Sequence, residues 1–112
     1  MTETADSSTW TREQVNDAMI AVAIDGAATF AQQAYLACTH AAVHAPAGQQ
    51  EAWAQAIVRS WAEDLVAVSM RMSDDLDATD DQRLALIQGR AAAFDRRFAE
   101  LVLMAGPHHG SA

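Results

Sequence analysis

The sequence predicts an all-α fold, an antiparallel bundle of three helices, and three observations carry that expectation. Alanine supplies 26 of the 112 residues, and alanine is the best helix former and a poor strand former. Two Thr-x-x-Gln signatures, Thr11 to Gln14 and Thr79 to Gln82, read as capping boxes that open helices. Between them, large apolar residues recur at steps of three and four, the period of a buried helix face.

The first helix is expected from Thr11 to about His44, where Ala45-Pro46-Ala47-Gly48 breaks it. Thirty-odd residues is long for a globular helix, and Gly26, beside Asp25, marks a kink or a second break. The second helix is expected over residues 49–72, with Trp53, Ile57, Trp61, Leu65, Val68 and Met72 on one face. An acidic linker follows over residues 73–78. The third helix begins at Thr79, with Asp80 and Asp81 at the positive end of its dipole. Its expected core face is Leu84, Ile87, Ala91, Phe94, Phe98, Leu101 and Ala105, and Gly106-Pro107 is expected to end it. Short linkers make consecutive helices antiparallel. The domain plan is a disordered tail over 1–9, one helical domain over 10–105 and a flexible tail over 106–112.

Charge and length exclude several functions. Net charge is −8 and the sequence pI is near 4.6. An acidic surface repels nucleic-acid phosphates and anionic lipids. The longest apolar run, Ala18 to Ile24, is far short of the roughly 20 residues that span a bilayer. The acidic start lacks the basic region of a secretory signal. A single cysteine, Cys38, excludes an internal disulfide and fits a cytoplasmic protein.

No catalytic constellation stands out: there is no glycine-rich phosphate loop, no Ser-His-Asp set and no zinc-finger spacing, and no cofactor is implied. His40 and His44, four apart, are weak metal candidates that also suit the negative end of a helix dipole. Cys38 and His40 diverge around the helix, so Cys38 reads as a small packing residue rather than a nucleophile. Asp25 reads as water-facing beside Gly26 or as a functional carboxylate. Trp53 and Trp61 read as core, with a ligand slot between them as the alternative.

The first helix carries a stripe of small residues, Ala23, Ala27, Ala31, Ala34, Cys38 and Ala41. Such a stripe lets two helix backbones approach closely. Val15, Met19, Val22 and Phe30 form a second, bulkier stripe. A helix in a lone three-helix bundle needs one apolar face, and this one has more. The surplus predicts a homo-oligomer or a protein partner held on the small-residue stripe. The alternative is that alanine is only helix filler here.

The segments Val15-Asn16-Asp17-Ala18, Asp25-Gly26-Ala27-Ala28, Tyr35-Leu36-Ala37, His40-Ala41 and Val43-His44-Ala45, then Gln49-Gln50 and Ala54-Gln55-Ala56, resemble the small R-body ("killing trait") proteins. The likeness spans about 15–56. The family's Pro-Ala-Met-Ala-Met-Gly segment is replaced by Gly26 to Ala31, and the second half does not share the family's Thr/Gln/Ala-rich tail. The resemblance implies a short helical subunit that polymerises into ribbons responsive to acid. The expected function is therefore non-enzymatic self-assembly through helix faces. An adaptor or regulator using the same face, and a small-molecule or metal-binding bundle, are the alternatives.

Overall fold

The structure is a computed structural model that describes the backbone of residues 9–111 and side chains of residues 9–105. It contains three helices: α1 (Arg12–His44), α2 (Gln50–Asp75) and α3 (Asp80–Ser111). No strand occurs among the described residues. The predicted all-α three-helix bundle is therefore the observed fold.

Both predicted capping boxes form. The Thr11 hydroxyl accepts from the Gln14 backbone N–H at 3.1 Å, and the Gln14 side chain accepts from the Thr11 N–H at 2.9 Å. Thr79 and Gln82 repeat the exchange at 3.1 Å each way. Each reciprocal pair satisfies two amide donors that a helix start leaves without partners.

Helix α1 runs unbroken through Gly26, 33 residues and about 50 Å of helix. One glycine costs only about 1 kcal/mol of helix propensity, and the alanine-rich turns around it offset that. The chain leaves the helix at Ala45, whose ψ of 147° is the extended conformation imposed by Pro46. Gly48 then turns at φ 84°, a conformation glycine adopts without steric cost.

Helix α2 continues one turn beyond its expected end and shortens the acidic linker. Its C-terminus is a Schellman motif: the Asp77 N–H donates to the Asp74 carbonyl, and the Ala78 N–H to Ser73. Asp77 holds the left-handed position at φ 54°. Helix α3 is continuous to Ser111, past Gly106 and Pro107, where the sequence predicts a stop. An interior proline removes one hydrogen bond and crowds the carbonyl four residues back, a cost of about 3 kcal/mol that the sequence rule takes as a stop and that the helix here runs through. Residues 1–8 of the expected N-terminal tail, and Ala112, lie outside the described residues.

The helices run up, down and up. Asn16 lies beside Leu76, Phe30 beside Trp61 and Cys38 beside Ala54, so α1 and α2 are antiparallel. Asp17 meets Gln82, Ala23 meets Arg90 and Tyr35 meets Phe98, so α1 and α3 are parallel. Gly89 permits close approach at the middle of that pair. A Cβ there would stand 2.5 Å from Cδ1 of Ile24.

The core joins Ala27, Ala31, Ala34, Leu65 and Phe94, with Phe30, Trp61, Ala93 and Phe98 against them. Phe30 meets Trp61 edge-on with ring centroids 4.8 Å apart. The α3 face differs from expectation in its first half. Leu84 is 54% exposed, whereas Gln82, Leu86, Arg90 and Phe94 are buried. A template that accepts only apolar residues passes over Gln82 and Arg90, and so misplaces the stripe.

Candidate functional site

The alanine ridge of α1 faces inward. Ala27, Ala31 and Ala34 have no exposed surface, Cys38 is buried, and Ala23 and Ala41 are half-buried. The ridge was expected to meet a partner; it meets α2 and α3 of its own chain instead. Small side chains let those helices close on α1, and the volume is filled from outside α1 by Phe94, Leu65 and Trp61. Ala27, Ala31, Ala34 and Cys38 belong to the bundle core, and the outside-contact expectation for them is corrected accordingly.

The inward face carries a polar seam toward the α3 N-terminus, and every buried side-chain nitrogen and oxygen in it has a hydrogen-bond partner. Gln82 donates to the Glu13 carbonyl at 3.1 Å and to the Asp17 carboxylate at 2.9 Å. Asn16 donates to the Leu76 carbonyl at 3.0 Å. At mid-bundle Arg90, 5% exposed, joins all three helices. Its Nε donates to Ser69 Oγ at 2.8 Å and its Nη1 to the Ala23 carbonyl. Ser69 passes the contact on, donating to the Leu65 carbonyl at 2.6 Å. Among the described residues no carboxylate pairs with this buried cation, and burial lowers its pKa from the ordinary guanidinium value. Both Arg90 bonds are to neutral acceptors, and the one carboxylate in the seam, Asp17, accepts from the Gln82 amide, so these contacts align the three helices.

The predicted ligand and metal residues do not converge. Trp61 is in the core against Phe30, while Trp53, two turns away, lines a shallow apolar dip with Ala52, Ala56 and Ile57. The two indoles form no slot between them, because residues eight apart on a helix stand about 12 Å apart along its axis. His40 and His44 lie tilted against each other, with centroids 4.6 Å apart, on the exposed end of α1. Among the described residues, no group of three or more His, Cys, Asp or Glu is placed to hold a metal. Cys38 donates its thiol to the Ala54 carbonyl, at 3.5 Å, and burial raises its pKa. A protonated thiol turned into the bundle is a poor nucleophile. Asp25 is exposed.

Where α1 ends and α2 begins, small residues meet from all sides: Cys38, Ala42, Ala54 and Ala105. They leave an open groove of about 860 Å³, with Tyr35, Val43 and Val102 on its walls. Phe98 and Val58 extend it along the bundle.

The outward face of α1 is the other unfilled surface. Val15 is 44% exposed, Val22 71%, Leu36 62% and Val43, at the lip of that groove, 76%, with Met19 exposed between the first two. Polar and small residues separate them: Ala18, Gly26, Thr29, Gln32, Gln33, Thr39 and His40 are all exposed. From Ala18 to Gln50, Asp25 is the one formally charged side chain. Charges concentrate instead on α2 and α3. Sequence reading found Val15, Met19 and Val22 but grouped them with Phe30, which turns into the core, and missed Val43. The step of seven from Val15 to Val22, repeated from Leu36 to Val43, was the available signal.

No known protein family, no curated protein and no solved structure matches this chain. No described helix is long and apolar enough to cross a membrane.

Proposed function

We propose that this chain is a non-enzymatic structural subunit that associates with copies of itself through the outward face of α1. One observation carries the reading. The longest helix already buries its alanine ridge inside its own bundle, yet its far side holds five large apolar residues and one charge. Fully covering a valine, leucine or methionine is worth roughly 1.5–3 kcal/mol each, whereas a helix face meant for water carries charged residues. The net charge of −8 does not oppose contact here, because the acidic residues sit mainly on the other two helices. The resemblance to R-body proteins covers this face and agrees with self-association through it, though not with the ribbon such subunits form. A reducing, cytoplasmic compartment suits the free thiol of Cys38.

The test is the solution mass by light scattering, at neutral and mildly acidic pH, of the unaltered chain and of Val22→Glu and Leu36→Glu. Both sites are exposed, so neither variant should disturb the bundle. The unaltered chain is expected above 12.0 kDa, and both variants at that monomer mass with unchanged far-UV circular dichroism. An unaltered chain that stays monomeric at high concentration removes self-association and turns the same face toward a different protein. Variants that still associate place the contact on another surface.

A further inference from the structure

Five exposed positions of α1 stand seven residues apart: Val15, Val22, Thr29, Leu36 and Val43. Four are large and apolar, and the fifth, Thr29, is the midpoint. The apolar pattern of the row is therefore symmetric about Thr29, with Leu36 standing where Val22 does on the other side. We infer that α1 packs antiparallel against α1 of a second copy, about a two-fold axis at Thr29, to make a closed dimer. The inference rests on the self-association reading and specifies its geometry.

A two-fold axis perpendicular to α1 at Thr29 sets Val15 against Val43 of the second copy, and Val22 against Leu36. Every large apolar residue in the row then meets another, over about 42 Å of helix. A two-fold contact requires this self-complementarity, in which residue i meets j and j meets i. A strict seven-residue step drifts around a straight helix by about 20° per heptad, so two such rows wrap left-handedly, as antiparallel coiled coils do. The flanking residues fit as well. Met19 faces Thr39 of the second copy, Gly26 faces Gln32, and Asp25, the one charge on the face, comes opposite the amide of Gln33. A parallel pairing uses the same row but sets Asp25 beside Asp25 and aligns the two helix dipoles. Both effects disfavour it.

Chemical cross-linking tests this arrangement. In a Cys38→Ala background, single cysteines are placed at Thr29, Val15 and Val43 and treated with a short bifunctional maleimide. Thr29→Cys is expected to give a covalent species of twice 12.0 kDa. Val15→Cys and Val43→Cys are each expected not to cross-link alone, but to cross-link to one another when mixed. Asp95→Cys, on the exposed side of α3, is the control expected to stay single. A two-fold interface contains each residue twice, so adding Leu36→Glu should cut the Thr29→Cys product by about tenfold or more. Val15→Cys cross-linking to itself would establish the parallel pairing and overturn the inference. An associated protein without the Thr29→Cys product would overturn the two-fold axis while leaving self-association standing. A chain that is monomeric throughout would remove both.

Discussion

Ala31→Leu separates the inward from the outward reading of α1 most sharply. Ala31 has no exposed surface and packs with Leu65 and Phe94. Leucine adds three carbons where the neighbouring helices already touch. Overpacking of this kind costs typically 1–3 kcal/mol, and a value near 2 is reasonable because Phe94 can tilt only against Phe30 and Phe98. For a chain of this length, unfolding entropy near 2.1 cal/mol/K per residue converts about 2 kcal/mol into a Tm loss of roughly 8 °C. The assay is thermal unfolding followed by circular dichroism, at a concentration where the protein is monomeric so that association does not contribute. A ridge facing a partner would respond in the opposite way, losing assembly while the isolated chain kept its Tm. An unchanged Tm in the monomer would refute the assignment of Ala31 to the core.

Further outcomes follow from the same contacts. Arg90→Met should leave stability within about 1 kcal/mol or raise it in a urea titration, since replacing a buried charge by an apolar side chain of similar size removes its desolvation cost. Arg90→Ala should lose about 2 kcal/mol or more through the cavity it leaves; equal effects of the two would argue against a buried guanidinium. Gly89→Ala should destabilise the protein, because the new Cβ meets Ile24 at 2.5 Å, yet in an Ile24→Ala background it should stabilise by about 1 kcal/mol of helix propensity; a thermal double-mutant cycle without coupling would contradict the close approach. Thr79→Ala should cost about 1 kcal/mol by loss of its cap, measured the same way. Cys38 should react with a disulfide reagent far more slowly in the native protein than in denaturant. Because burial raises its folded pKa above the ordinary thiol value of 9.0, its contribution to stability is complete below that pH and is lost as pH rises beyond it; native stability that increased through that range would have the wrong sign.

Much of the fold is legible in the sequence for local reasons. Thr11, Thr79, Pro46 and Gly48 act through hydrogen bonds and dihedral limits within a few residues, so the helix boundaries they set are visible without tertiary information. The direction of the alanine ridge is not. Helix α1 is apolar around much of its circumference, and periodicity says which residues share a face but not which face turns inward. That was decided by Phe94, Leu65 and Trp61 on the other helices, which need small neighbours. The α3 register was hidden for a different reason. Gln82 and Arg90 look like surface residues until their acceptors at Glu13, Asp17, Ser69 and Ala23 are known. The outward row of α1 was half legible: Val15, Met19 and Val22 stood out locally, but the recurrence at Leu36 and Val43 only gains meaning once the opposite side is seen to be occupied.

The central claim is that α1 is two-sided, its alanines closing one bundle and its valine–leucine row joining two. Sedimentation equilibrium of the unaltered chain, from low micromolar to high micromolar protein, tests it most directly. The expected result is a reversible rise from 12.0 kDa toward twice that mass, with no larger species. A single 12.0 kDa component across the whole range would contradict it.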